Sequence, residues 1–307
     1  MDKNINIASR ATLFYDLDKL FNYFNRKICD IWDFYSSYSS ENEKYRNFVK
    51  GTALSSLYSA LEILLNDAGI RFLVSYPCHI NSKKTNDFEI ISENISVSTI
   101  IKQFAEKTIN ELSYKDFKTY INGIYDIFGE KMCSKNDIID NLTEGKASRD
   151  VFIHNDSKIN DLYIRRAGTH ARYDEVGRNM EISNDYLKNI KIDIEKLSND
   201  FKNNCLMKYK NDTKENIFKE MWELSYLNNI VPFEKAWRLT NGHLSFNDNF
   251  SYGFSSSEKA LYRFFKYIFH GTDFENYNNC ISYALQRWRG TKNERIILSW
   301  LEYPFYL

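Results

Sequence analysis

The sequence predicts an all-α protein. Only 3 prolines and 11 glycines occur in 307 residues, too few for the frequent turns of a β-sandwich or for a linker-dominated chain. The hydrophobic share is 43% and the aromatic share 16%, which is enough to form a sizeable buried core. Apolar residues also recur at three- and four-residue spacing along much of the chain, the pattern of amphipathic helices.

The first two predicted helices cover residues 12–34 and about 45–67. In the first, apolar residues repeat at helical spacing until a polar cluster begins at Ser36. The second has an apolar face, and Gly69 is expected to cap its C-terminus. Residues 70–94 receive no firm assignment, because the periodicity weakens there and Pro77 interrupts it.

Three further helices are predicted at 97–112, 117–128 and 135–154. The segment 155–179 contains two glycines, many charges and little periodicity, which predicts a long loop. Ser183 then has the right side chain to cap a last helix of this region, which ends near residue 201.

The C-terminal part of the sequence is richer in aromatic residues. The polar stretch 208–215 is the best candidate for a boundary, since it lacks apolar anchors. The sequence therefore predicts an N-terminal helix in 1–44, a helical domain in 45–210 and a helical accessory domain in 211–307. Five short helices are expected in the last of these, at about 213–227, 232–239, 257–269, 279–287 and 294–301.

Charge and composition exclude several classes of protein. Lys and Arg number 41, and so do Asp and Glu, so no global positive field favours nucleic acid or anionic membrane, and any such binding needs a local patch. No apolar run approaches the roughly 20 residues of a membrane helix, and the N-terminus lacks a secretory signal. We therefore expect a cytoplasmic protein with no membrane partner.

The five cysteines are scattered, without metal-ligand spacing, which predicts reduced thiols and no structural metal. The sequence also lacks the glycine-rich phosphate loops, the His-Glu-x-x-His metal motif and the Gly-x-Ser-x-Gly hydrolase motif. No cofactor is therefore expected.

The most informative segment is Ser148–Asp156, in which Arg149 and His154 lie five residues apart at the end of a predicted helix. Metal-free cleavage of RNA needs a group that exchanges protons near neutral pH, and histidine is the side chain whose ordinary pKa suits that task. It also needs fixed positive charge on the phosphate, which the planar guanidinium of arginine supplies. Taken alone, such a pair is also typical of an ordinary protein surface.

The spacing raises a geometric question. Residues i and i+5 on a straight helix are about 140° apart, so Arg149 and His154 share a face only if the helix ends or unwinds between them. The polar residues 155–157 are a plausible end. Alternatively, two copies of the chain assemble the site across a two-fold axis.

The segment resembles the HEPN family (higher eukaryotes and prokaryotes nucleotide-binding domain), whose signature is an arginine, usually followed by a polar residue, and then a histidine after four to six intervening residues in all. Arg149, Asp150 and His154 match this signature, although many members carry asparagine where Asp150 stands. The similarity covers about residues 45–204 and extends beyond the pair. It includes Asn155, Ile159, Asn160, Tyr163, Gly177, the helix that starts at Ser183 and the upstream helix that contains Glu62.

The resemblance implies a HEPN-like helical bundle and a metal-independent endoribonuclease of bacterial defence, either a toxin or an abortive-infection effector. Such a protein is usually a homodimer and can have an antitoxin or regulatory partner. His154 would be the general acid or base, and Arg149 would steady the scissile phosphate. Asp150 would be a positioning residue that orients one of them, although its negative charge beside a phosphate is unfavourable.

The loop after the motif contains the candidate RNA-binding residues. Its net charge is only about +1, so the pattern is equally typical of a solvated loop. Tyr163 and Tyr173 are candidates to stack on unpaired bases. The predicted substrate-binding residues are Asn155, Lys158, Arg165, Arg166 and Arg172.

A second pair, Arg263 and His270, shares a helix face, but its neighbours form an apolar stripe and Gly271 follows as a cap. We interpret His270 as a cation near a helix C-terminus. Two alternatives to the ribonuclease remain open: a HEPN-like scaffold that binds nucleotide, RNA or protein without cleavage, and a structural subunit that needs a second chain.

Overall fold

The computed structural model describes residues 6–38, 45–80, 97–131, 136–247, 250–271 and 280–307. These residues are mostly helical, and the one sheet among them has two strands. The prediction of an all-α class is therefore confirmed at the level of helical content.

The chain divides into two compact units. The motif unit comprises the described residues of 17–70 and 106–208, and the aromatic unit comprises those of 1–16, 71–105 and 209–307. A boundary near residue 210 was expected from the sequence. The structure also groups the N-terminal residues and residues 71–105 with the C-terminal part, and the sequence did not predict this grouping. The reason is that the helices shared by the two units show no change in composition at the point where the units divide.

Seven helices, three of which supply residues to both units, build the motif unit. They are α1 (Ile7–Tyr38), α2 (Arg46–Ser75), α3 (Val97–Ser113), α4 (Phe117–Ile127), α5 (Asn136–His154), α6 (Asp161–Ala167) and α7 (Asn184–Phe201). Caps fix several of the starts: Asp116 accepts a hydrogen bond from the Thr119 amide, and Ser183 accepts one from the Tyr186 amide. The core consists of the apolar stripes of these helices, including Phe21, Phe24, Leu57, Leu61, Ile121, Ile124, Leu142, Ile190 and Ile194.

Helix α2 extends to Ser75, beyond the predicted end at residue 67. Gly69 is not a cap. It lies inside the helix, where an added Cβ would be 2.6 Å from Ile109 Cδ1, so glycine here permits the close approach of α3.

Helix α2 is also long and apolar enough to cross a membrane, whereas the sequence analysis expected no such segment. However, 61% of its most apolar window is buried in the protein, as in a core helix.

The predicted loop at 155–179 contains a helix, α6. Its start is capped by Asn160, whose side chain accepts a hydrogen bond from the Tyr163 amide at 2.9 Å. Tyr163 and Ala167, four residues apart, are its buried positions. Seven residues are too few for a helical period to be recognised in the sequence, which explains the wrong assignment.

The aromatic unit contains five further helices and one hairpin. They are α8 (Lys214–Leu224), α9 (Phe233–Ala236), β1 (Trp237–Thr240), β2 (His243–Phe246), α10 (Ser256–His270), α11 (Cys280–Arg287) and α12 (Lys292–Glu302). Its core is dominated by edge-to-face aromatic pairs, such as Phe218 with Trp237 at 5.0 Å and Trp222 with Phe265 at 5.1 Å.

The hairpin corrects the predicted helix at 232–239. Strands β1 and β2 are antiparallel, with Trp237 opposite Phe246 and Thr240 opposite His243. The connecting residues Asn241 and Gly242 both have positive φ, at 51° and 79°, as a tight two-residue hairpin turn requires. The helical part is confined to the four residues of α9 that follow Pro232.

Candidate nucleic-acid cleft

The motif lies on α5, which packs tightly against its neighbours. An added Cβ at Gly145 would be 2.8 Å from Ile190 Cδ1 and would also overlap the Tyr58 hydroxyl. An added Cβ at Gly51 of α2 would be 2.6 Å from Phe152 of α5. These close approaches fix the position and rotation of the helix that holds the candidate catalytic residues.

Helix α5 does not end between Arg149 and His154. It continues to His154, and the Asn155 amide still donates to the Val151 carbonyl at 3.0 Å. Both side chains nevertheless line the same cleft. Asp150 lies between them around the helix and lines the cleft as well.

This cleft has a volume of about 1210 Å³. Six cationic side chains and three carboxylates line it, which gives a formal charge of +3 before any protonation of His154. The net charge of the whole chain is zero, so the cleft is a local positive patch of the kind that nucleic-acid binding needs. The charged lining residues are Lys115, Lys118, Lys146, Arg149, Arg165, Arg166, Glu62, Asp116 and Asp150.

Asp150 links two of these arginines. Arg149 Nη1 donates to Asp150 Oδ1 at 2.9 Å, and Arg166 Nη1 donates to Asp150 Oδ2 at 2.8 Å. The Arg149 Nε is buried and finds no acceptor among the described residues. Asp150 thus holds both guanidinium groups, at the expense of part of the positive charge that they offer to a phosphate.

Arg165 and Arg166 reach the cleft from the last turn of α6 and are exposed. Their charge complements the helix dipole at that end. Lys158 and Asn155 are placed elsewhere. The Asn155 side chain donates to the Lys158 carbonyl within the turn after α5, and Lys158 lines a separate hollow with Arg46 and Lys50.

Arg172 is not part of the cleft. Its Nε donates to Glu144 Oε1 at 3.0 Å, its Nη2 donates to Ser148 Oγ at 3.0 Å, and its guanidinium lies 3.5 Å from the Tyr186 ring centroid. Glu144 is only 3% exposed. The arginine therefore neutralises a buried carboxylate, and its donors are used within the protein rather than presented to a substrate.

The two tyrosines proposed for base stacking are also engaged inside the protein. Tyr163 is 1% exposed and donates to Glu144 Oε1 at 2.8 Å. Burial raises the pKa of Tyr163 and of Tyr186, so both hydroxyls remain protonated donors to Glu144. Tyr173 is half-buried, and the guanidinium groups of Arg172 and Arg178 lie 5.3 and 5.1 Å from its ring centroid.

Sequence reasoning missed several residues of the cleft, among them Tyr114, Lys115, Lys118 and Lys146. Lys146 is one turn before Arg149 on α5 and pairs with Glu62 of α2. Tyr114 and Lys115 belong to the α3–α4 connection and Lys118 to the first turn of α4, a region about 30–35 residues before Arg149 along the chain. No local signal relates that connection to the motif, so only the packing of the helices reveals the proximity.

The remaining histidines take other roles. Burial and the nearby Lys266 lower the pKa of His270, which favours its neutral form over the expected cation. The cap at Gly271 is confirmed, with φ of 65°. His170 lies 3.5 Å from Asp140, and the His79 ring packs on Phe72.

Among the described residues, Cys29, Cys78 and Cys205 take part in no disulfide. Over the part of the chain that the structure describes, no three His, Cys, Asp or Glu side chains are grouped to hold a metal ion. In comparisons with family models, curated proteins and solved structures, no match to this chain was found.

Proposed function

We propose that this protein is a metal-independent endoribonuclease whose active groups are Arg149 and His154. The observation that carries the proposal is that both residues line one positively charged cleft, beside Arg165 and Arg166. The resemblance of the motif to the HEPN signature adds to it and suggests the reaction, a toxin or antiphage role and a cytoplasmic location.

In the proposed reaction, the ribose 2′-oxygen attacks the adjacent phosphorus and the bond from phosphorus to the 5′-oxygen breaks. A base removes the 2′-hydroxyl proton, and an acid gives a proton to the departing 5′-oxygen. His154, exposed in the cleft, performs one of these transfers. Arg149 donates to the non-bridging phosphate oxygens as negative charge develops, and Asp150 orients that guanidinium.

A second copy of the chain would supply the other proton transfer. An apolar groove of about 720 Å³ adjoins the end of α5 and includes Ile153, the neighbour of His154. Phe48 and Ile63, 73% and 52% exposed, lie along the same groove. Exposed apolar surface of this kind is typical of protein interfaces.

If two copies pair through this groove, light scattering of the wild-type protein should give a molar mass of twice 36.5 kDa. The Phe48→Glu variant should give the mass of the monomer.

The test is cleavage of RNA in the presence of EDTA. Arg149→Ala and His154→Ala should each abolish cutting while the circular dichroism spectrum stays unchanged. The matched controls Arg178→Ala and His243→Ala replace exposed residues outside the cleft and should cut normally. Activity that survives both changes in the motif would reject the proposed site.

A non-catalytic scaffold that binds RNA, nucleotide or a partner protein is the second candidate. The Asp150 carboxylate favours it, because it already occupies donors of Arg149 and Arg166 that a phosphate would need. Wild-type protein that binds RNA but cuts none between pH 5 and pH 8, with binding kept in both alanine variants, would support this alternative.

A further inference from the structure

An exposed aromatic ring stands at the rim of the cleft. Tyr114 is 89% exposed, the highest value among the large apolar and aromatic side chains that the structure describes as exposed. It lines the cleft together with Lys115 of the same connection and Lys118 of the first turn of α4. The arginines Arg165 and Arg166 line the same cleft from α6.

The connection that presents Tyr114 is held firmly. The Lys115 amide donates to the Leu112 carbonyl at 2.9 Å, and the Asp116 carboxylate caps α4. Phe117 and Tyr120, just beyond it, are buried and anchor the turn in the core. A ring on a fixed turn loses little conformational freedom when a ligand stacks on it.

The inner face of the connection is fixed as well. An added Cβ at Gly123 of α4 would be 2.6 Å from Leu112 Cδ2 of α3, so the two helices that flank the turn are in close contact. This close packing of α3 against α4 holds the turn that presents Tyr114 in place.

We propose that Tyr114 is a stacking platform for an unpaired base of a nucleic acid strand in the cleft, and that Lys115 contacts an adjacent phosphate. This inference rests on the proposed function of the same cleft. An aromatic face between cationic groups is the arrangement by which proteins hold single strands, since every base has a flat face and every nucleotide a charge. Leu162, 39% exposed in the same cleft, offers apolar contact to a base.

The test uses short RNA strands with 2′-O-methyl groups, which cannot be cleaved by 2′-hydroxyl attack. A single abasic site is placed at each position in turn, and affinity is measured by fluorescence anisotropy. At one position, wild-type protein should lose about tenfold in affinity on removal of the base, whereas Tyr114→Ala should lose almost nothing there. Tyr114→Phe keeps the ring and should behave as wild type.

Two controls separate stacking from charge. Tyr38→Ala removes an exposed tyrosine outside the cleft, at the end of α1, and should bind every strand as wild type does. The slope of log affinity against log salt concentration is negative, and Lys115→Ala should make it less steep by about 0.7, whereas Tyr114→Ala should leave it unchanged.

If Tyr114→Ala shows the same base dependence as wild type, or if wild type binds none of the strands, the inference is overturned. Cleavage of ordinary RNA by wild type tests the proposed function separately. If wild type cuts RNA but its loss of affinity at abasic positions does not depend on Tyr114, only this inference is refuted. If that loss of affinity depends on Tyr114 but wild type does not cut RNA, only the proposed ribonuclease activity is refuted.

Discussion

Replacement of Arg172 by alanine should destabilise the motif unit strongly, although sequence reasoning assigned this residue to substrate binding. Glu144 is 3% exposed and accepts hydrogen bonds from Ser148, Tyr163, Arg172 and Tyr186, of which only Arg172 is cationic. The Arg172→Ala change leaves that carboxylate buried without its counter-ion.

The size of the effect follows from burial. Loss of one partner of a buried ion pair costs about 3–5 kcal/mol. The Arg172 side chain is 24% exposed, so water can partly replace it, and three neutral donors to Glu144 remain. We therefore expect a loss of about 3 kcal/mol in the free energy of unfolding, roughly a hundredfold in the folding equilibrium. Arg172→Lys keeps the charge but loses the planar contact with Tyr186 and should lose about half as much.

The matched control is Arg166→Ala. Arg166 pairs with Asp150 at 2.8 Å, but its side chain is 51% exposed, and such surface pairs contribute about 0–1 kcal/mol. Urea unfolding followed by circular dichroism should therefore separate Arg172→Ala clearly from Arg166→Ala. If the free energy of unfolding of Arg172→Ala lies within about 0.5 kcal/mol of the wild-type value, the structural role of Arg172 is refuted.

Three further changes test other parts of the structure. Gly145→Ala should lower the free energy of unfolding by about 2 kcal/mol in urea titration, because its Cβ would overlap Tyr58; a neutral effect would contradict the close packing of α5. Asp150→Asn should tighten the binding of an uncleavable oligonucleotide about fivefold at low salt, since it removes a negative charge from the cleft; unchanged affinity in an anisotropy titration would contradict this. The hydrogen bond with Thr119 lowers the pKa of Asp116, so its capping contribution is complete above the ordinary carboxyl pKa near 4 and is lost as the pH falls below it. Asp116→Ala should thus be less stable than wild type by about 1 kcal/mol at pH 7, and the difference should narrow toward pH 3; a gap that widens on acidification would refute the assignment.

Much of the helical framework was predictable, because long amphipathic stripes carry their own signal. The motif helix was predicted at 135–154 and observed at Asn136–His154, and the cap at Ser183 is as expected. The hairpin at residues 237–246 was missed, although Asn241–Gly242 is a strong turn signal, because the preceding Pro232 favoured a helix start.

The site was only partly predictable, for a physical reason. Arg166 and Arg172 are both basic residues of one segment, and nothing in their local sequence separates an exposed arginine from one that neutralises a buried carboxylate. Arg172 has a structural role because it pairs with Glu144, and Glu144 lies on the side of α5 that faces the core. Likewise, Tyr114 and Lys115 join the cleft only because α3 and α4 meet beside α5.

The central claim, that this cleft breaks RNA by attack of the 2′-hydroxyl, is tested most directly by analysis of the product ends. Wild-type protein in EDTA should leave a 2′,3′-cyclic phosphate or its hydrolysis product on one fragment and a 5′-hydroxyl on the other. A single 2′-deoxy substitution at the cut position should abolish the cut. Fragments with 5′-phosphate ends, or cutting that tolerates the deoxy substitution, would contradict the account.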